Sequence, residues 1–202
     1  SKEAKSDIYW ASDADIPDYE CALLGDYQIE NKKTVVQTIR VLQEQGFFTV
    51  KENHLQLGLL QVIKNTGLMG RWQILQENPL VICDTAHNKQ GLEIVLNQIQ
   101  KQTFKQLYFV FGVVNDKDLT EILPLFPKKA IYYIAKPNIP RGLDAQELDA
   151  EIQAFGLQTI VFQSIESAYQ AVLNQADVDD FIYVGGSTFV VAEILSFLSC
   201  KE

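Results

Sequence analysis

Pro79-Leu80-Val81-Ile82-Cys83-Asp84-Thr85-Ala86-His87-Asn88 is an apolar, β-branched run that breaks into a polar pentad, and the amphipathic stretch Gln90–Lys101 follows almost at once. A short buried strand, a turn and a helix account for that order. The alternation recurs downstream. Gln106–Gly112, Ala130–Ala135, Leu157–Phe162 and Asp180–Gly185 read as further strands, with Leu119–Phe126, Ala145–Phe155, Ser164–Asn174 and Phe189–Leu198 as the helices that follow them. Strands that are apolar almost throughout and separated by helices belong in a parallel sheet covered on both faces. The predicted fold is α/β: a Rossmann-like, doubly wound, mostly parallel sheet, with Arg71–Leu75 as an antiparallel edge strand ahead of Glu77-Asn78-Pro79.

Upstream the pattern changes. Lys32–Gln45 carries Val35, Val36, Ile39 and Leu42 on one helical face and stops at Gly46, as a helix C-terminus does. Leu57–Lys64 reads as a second, shorter helix, and Asp7–Trp10 and Tyr19–Leu24 as strands. No βα unit follows there, so residues 1–68 look like the tail of a larger domain and residues 69–202 like a second domain. Asn65-Thr66-Gly67-Leu68-Met69-Gly70 is the linker, its two glycines supplying backbone freedom.

Composition narrows the function. The 202 residues are 47% hydrophobic and carry a formal charge of −9, which supports a sizeable core and speaks against a general nucleic-acid binder, since phosphate contacts need a surplus of Lys and Arg. Cys21, Cys83 and Cys200 lie far apart without a CxxC pair, so neither zinc nor a disulfide framework is expected, and a reducing cytoplasm fits. The first residues are polar and no apolar run approaches the roughly 18 residues of a membrane span. The chain therefore reads as soluble and intracellular.

Ligands of open parallel sheets bind beyond the C-terminal strand ends. After the first parallel strand, Asp84, His87 and Asn88 put a carboxylate, an imidazole and an amide at a helix N-terminus, which suits a polar or anionic ligand. The competing assignment makes Asn88 the helix cap and Asp84 the acceptor for turn amides; on spacing alone it outweighs the ligand. Gly112-Val113-Val114-Asn115-Asp116-Lys117-Asp118 is either a capped turn or a functional loop, with Lys117 the member able to meet an anion. Arg141, in the rigid segment Lys136-Pro137-Asn138-Ile139-Pro140-Arg141-Gly142, offers a bidentate cation or is simply solvated, and Asp144 suits the next N-cap. Gly185-Gly186-Ser187-Thr188 allows close backbone approach to a ligand, or makes a tight turn with Ser187 or Thr188 as cap. The P-loop pattern GxxxxGK[ST] occurs nowhere. His54 reads as structural or solvated, Arg71 by itself as an exposed charge beside Trp72, and Cys83 as a buried small side chain rather than a nucleophile.

In order along the chain, from about Leu24 onward, these motifs resemble the folylpolyglutamate/dihydrofolate synthase branch of the Mur ligase superfamily. Leu24-Gly25-Asp26-Tyr27-Gln28-Ile29-Glu30-Asn31 is similar to its LxGxHQxxN segment, with Tyr27 where histidine is usual. Gly70-Arg71-Trp72 resembles the hinge, Asp84–Asn88 the DGAHN motif, Gly112–Asp118 the GxxxDKD loop, Pro140-Arg141-Gly142-Leu143 a PRAL-like segment and Gly185-Gly186-Ser187 the (T/C)GS turn. Thr85 stands in place of the usual glycine or tyrosine, Gly142 in place of alanine, and Gly186 before the serine.

The resemblance implies that ATP phosphorylates a folate or dihydropteroate carboxylate and that the amine of L-glutamate attacks the acyl phosphate. It implies that residues 1–68 are the C-terminal remnant of the central ATP-binding domain and residues 69–202 the C-terminal glutamate ligase domain. Arg71, Asp84 and Asn88 match nucleotide-binding positions, His87, Lys117 and Ser187 catalytic ones, and Arg141, His87 and Ser187 substrate-binding ones. The P-loop and most Mg²⁺ ligands are expected upstream, with no metal ligand here, so the 202 residues are expected to be inactive alone. Small molecules are the expected partners, with no nucleic acid and no membrane, and a monomer is expected. Another Mur-type ligase would keep the chemistry and change the acceptor, although Gln28–Asn31 and Gly70-Arg71-Trp72 favour the folate branch. A non-catalytic Rossmann-like module for a nucleotide or acidic ligand is the alternative of a different class.

Overall fold

The computed structural model describes residues 7–200. The chain divides into two compact units, Ser1–Met69 and Gly70–Glu202.

The first unit holds a short 3-10 turn at Ala11–Asp13 and the helices α1 (Gln28–Glu44), α2 (Glu52–Leu60) and α3 (Val62–Thr66). Helix α1 begins a turn earlier than predicted, and the single predicted helix over Leu57–Lys64 is two helices that meet at Gln61. Neither predicted strand forms: Asp7–Trp10 and Tyr19–Leu24 are irregular. Their apolar residues are accounted for differently. Tyr19 is buried with Val36 and Leu59 in a small core that Ile16 and Leu55 flank, while the Lys32 ammonium donates to the Tyr19 carbonyl at 2.6 Å and Ala22 N–H to the Leu59 carbonyl at 3.2 Å. Helix contacts thus take the place of a strand partner.

The second unit carries β1 (Gln73–Gln76), β2 (Leu80–Cys83), α4 (Lys89–Gln100), β3 (Leu107–Phe111), β4 (Ile131–Ile134), α5 (Ala145–Ala154), β5 (Gln158–Val161), α6 (Ile165–Gln175), β6 (Phe181–Gly185) and α7 (Thr188–Ser199). The strands form one sheet in the order β1-β2-β6-β3-β4-β5. Only β1 runs antiparallel, as the edge strand paired with β2; the other neighbours are parallel. Residues alternate between the two faces. Val81, Cys83, Tyr108, Val110, Tyr133, Ile182 and Val184 share a core with the buried residues of α6 and α7. On the opposite face Phe109 stacks on Tyr132 at 4.8 Å between centroids, and Phe126 packs edge-on against Phe111 at 5.2 Å.

One predicted helix is corrected. Leu119–Phe126 is a series of turns ending in a 3-10 turn at Leu123–Leu125. Leu119, Ile122, Leu123 and Phe126 are all buried, which is the spacing of a helical face, but Pro124 has no N–H to donate and Pro127 closes the segment. Each of the second unit's four α-helices is capped by a side chain. Asn88 accepts from Gly91 N–H at 2.8 Å, Asp144 from Gln146 N–H at 2.9 Å and Ser187 from Val190 N–H at 3.2 Å. Ser164 and Ser167 close a capping box on α6. Among the described residues no helix is long and apolar enough to cross a membrane.

Close approach of the strand-end loops rests on Gly186. Its φ is +96°, and a Cβ there would lie 2.5 Å from the Phe111 ring and 2.8 Å from the Gly112 carbonyl oxygen. Gly186→Ala is expected to lower stability by about 2 kcal/mol or more, from backbone strain plus overlap, read as a lower urea midpoint. An unchanged midpoint would contradict this packing.

Candidate functional site

Parallel strands bring all their C-terminal ends to one side of a sheet, and here β6 lies between β2 and β3. The loops after β2, β3, β4 and β6 therefore converge. Between them is a cavity of about 200 Å³ whose lining includes His87, Asp116, Lys117, Arg141, Ser187 and Phe189. Four sequence-predicted residues from four loops, His87, Lys117, Arg141 and Ser187, are brought to one place.

Each is held differently. His87 Nδ1 lies 2.9 Å from the Thr85 carbonyl oxygen; because a carbonyl only accepts, Nδ1 donates and Nε2 keeps its lone pair in the neutral ring. Ser187 is 4% exposed, and its Oγ is committed to capping α7, which leaves its hydroxyl proton to donate. Lys117 is half-buried, and its ammonium has no partner among the described residues. Arg141 approaches the Asp116 carboxylate at 3.5 Å and lies over the Phe189 ring at 5.2 Å from the centroid. The loops bearing Lys117 and Arg141 are joined by an antiparallel bridge, Val114 to Gly142. Asn115 N–H donates to the Arg141 carbonyl at 2.9 Å, and Leu143 N–H to the Val113 carbonyl at 2.9 Å.

Arg71, Asp84 and Asn88 do not line this cavity. Asp84 is fully buried, with one oxygen accepting from Trp72 N–H at 2.6 Å and the other from Ala86 N–H at 2.7 Å. Of the two sequence readings, the acceptor for turn amides is the one this structure displays. The turn it holds is unusual: Trp72 has φ +48°, a region that a bulky residue enters only under constraint. Thr85 N–H donates to the Gly70 carbonyl at 3.0 Å, and the exposed Arg71 guanidinium donates to the Thr85 hydroxyl. Asn88 is the α4 cap.

Asp116 and Phe189 were not singled out by sequence. Asp116 sits in a loop that was, and position alone did not separate it from Asp118, whose carboxylate turns back to Thr120 N–H at 2.9 Å. Phe189 followed the helix pattern, and only its contact with Arg141 sets it apart. Cys83 is buried beside Asp84, and burial, reinforced by the Asp84 charge, pushes its thiol up to about 12. Among the described residues, no group of three or more His, Cys, Asp and Glu side chains is placed to hold a metal ion.

Residues 70–188 match the family described as Mur ligase, glutamate ligase domain. The chain belongs to this family. Folate enzymes are among the relatives it resembles. A probable bifunctional folylpolyglutamate synthase/dihydropteroate synthase of Halobacterium salinarum is 30% identical over 185 residues, which is 91% of this chain and 21% of that protein. The dihydrofolate synthase/folylpolyglutamate synthase of Escherichia coli is 29% identical over 156 residues, 76% of this chain and 35% of that protein. The solved structure of E. coli FolC in complex with ADP superposes with a TM-score of 0.76 at 25% identity, covering 92% of this chain and 42% of that one. This chain thus spans between a fifth and about two fifths of these Mur ligase relatives.

Two outcomes follow from the Asp84 geometry. Asp84→Asn replaces an acceptor oxygen with an amide group facing a backbone N–H, and is expected to cost about 3 kcal/mol, measured by urea denaturation; loss of less than about 1 kcal/mol would refute the bridging role. In the native chain a thiol reagent at neutral pH is expected to modify exposed Cys200 and spare Cys83 until the chain is unfolded.

Proposed function

We propose that this chain is the C-terminal part of an ATP-dependent ligase that adds L-glutamate to folate or dihydropteroate through an acyl phosphate. Residues 1–68 would complete a central ATP-binding domain, and residues 69–202 would supply the amino-acid half of the site. The observation that carries the proposal is the meeting of His87, Lys117, Arg141 and Ser187 in one cavity at the strand ends. The folate-ligase relatives support the chemistry.

In the first step a carboxylate oxygen of the folate attacks the γ-phosphorus of ATP, and ADP leaves. In the second the glutamate nitrogen attacks the acyl carbon, phosphate departs with the acyl oxygen, and the nitrogen loses a proton. Glutamate brings two carboxylates to this step, and they need cationic partners that leave its amine free. Lys117 and Arg141 meet that need, and the N-terminus of α7 adds the hydroxyl of Ser187 and a favourable dipole. With Nδ1 engaged by Thr85, His87 Nε2 is the lone pair able to take the amine proton.

Arg71 and Asn88 would act on the nucleotide side: the Arg71 guanidinium is exposed, and the Asn88 carboxamide nitrogen is not used by the cap. Asp84, with both oxygens engaged, would act there through the turn it holds. Mg²⁺ would reach the reaction with ATP on ligands other than these residues.

Two measurements test the proposal. Without a P-loop the β- and γ-phosphates lack their amide cradle, so the 202 residues alone are expected to release no ADP from ATP in the presence of folate and L-glutamate; glutamate-dependent ADP release would overturn that part. Titration of the labelled chain with L-glutamate, followed by NMR, is expected to move the amides of His87, Lys117, Arg141 and Ser187 first. Shifts confined to other loops would remove the assignment of the cavity.

A further inference from the structure

The cavity's cations differ in how they are held. The Lys117 ammonium has no partner among the described residues, whereas Arg141 is fixed at both ends. Its backbone is pinned by the Val114–Gly142 bridge and by the Asn115 N–H that donates to its carbonyl at 2.9 Å. Its guanidinium lies 5.2 Å from the centroid of the Phe189 ring. Phe189 belongs to the first turn of α7, and that helix is anchored by the fully buried Val190 and Ile194 and the almost fully buried Val191. The ring is therefore carried on a rigid element while the charge it faces is half in solvent.

We propose that Phe189 is a positioning residue, whose ring holds the Arg141 guanidinium as a preformed receptor for a carboxylate. For the proposed function, on which this extension rests, that carboxylate is the one distinguishing L-glutamate from L-glutamine.

An arginine side chain loses much rotamer freedom on binding. A ring with the guanidinium carbon over it, 5.2 Å from its centroid, bears part of that loss in advance, and a π-face has no in-plane oxygen lone pair with which to satisfy the N–H groups as a carboxylate does. The Asp116 carboxylate restrains the same group through one long contact of 3.5 Å. A fork of several N–H groups is left for an incoming carboxylate, the pattern in which arginine is most selective. Gly142 is part of the arrangement: a Cβ there would lie 2.5 Å from the Pro137 carbonyl oxygen, so the backbone next to Arg141 can fold this tightly only with glycine.

The test uses the whole chain and two readouts. By NMR, the Arg141 Nε–H resonance is expected to be displaced by the ring current of Phe189 in the unliganded protein, to return to an ordinary position in Phe189→Leu and to remain displaced in Phe189→Tyr. In titrations with L-glutamate, L-glutamine and glutarate, Phe189→Leu is expected to weaken L-glutamate and glutarate roughly two- to fivefold, the scale of an exposed cation–π contact. L-glutamine is expected to change little, and Phe189→Tyr to restore both dicarboxylates.

An ordinary Arg141 resonance in the wild-type chain overturns the proposal, and so does an equal loss for L-glutamate and L-glutamine, which would mark Phe189 as merely structural. If the wild-type chain binds glutarate but not L-glutamate, with glutarate weakened in Phe189→Leu, the receptor stands and the glutamate reading falls. If neither dicarboxylate binds, both fall.

Discussion

A single buried carboxylate ties the start of the second unit to the loop that follows β2. Asp84 accepts one amide from Trp72, next to the linker, and another from Ala86, in the loop that leads to His87. Those two bonds, with the Thr85 N–H that donates to the Gly70 carbonyl, hold Trp72 in the positive-φ region and fix the turn that carries the loop after β2 toward α4. The strand beneath is apolar and fully enclosed, so Asp84 has no water to fall back on. A residue whose spacing also suits a ligand contact spends both carboxylate oxygens on backbone amides in this structure.

The fold was legible to the extent that local pattern and tertiary outcome coincide. Continuous apolar runs gave β2, β3, β4 and β6 to within a residue or two, because a strand buried on both faces has few other ways to satisfy its side chains; the half-exposed edges β1 and β5 were placed as closely by the alternation with turns and helices around them. The segment around Pro124 shows where pattern and outcome part. Its burial repeats with helical spacing, but hydrogen-bond donors, which a hydrophobic pattern does not register, decide between a helix and successive turns. Tyr19–Leu24 shows the reverse case: strand-like residues whose partners turned out to be helices, and a strand without a neighbouring strand has nothing to pair with.

The site was legible through topology. Once the sheet is parallel, residues following strands must share an edge, and this located His87, Lys117, Arg141 and Ser187 without knowledge of distances. What sequence could not supply was the division of that edge into an open cavity and an enclosed turn. Asp84 sits in the latter, with the exposed Arg71 at the surface of the same turn, because Asp84 bonds back to Trp72 rather than outward. Phe189 was hidden for a related reason. An aromatic residue at the start of an apolar helix looks like core, and a cation–π contact depends on where another loop ends.

The side-chain caps of α4 and α7 have an evolutionary consequence. Asn88 and Ser187 each begin a helix, and Ser187 also lines the candidate cavity, so a change at Ser187 alters the fold's stability together with the cavity's lining. Lys117 and Arg141 carry no cap, and their side chains lie partly in solvent. Variation that changes the charge of the cavity can accumulate at those two positions at little cost to the scaffold. The two capping positions are expected to drift only among residues that can still accept a helix N–H.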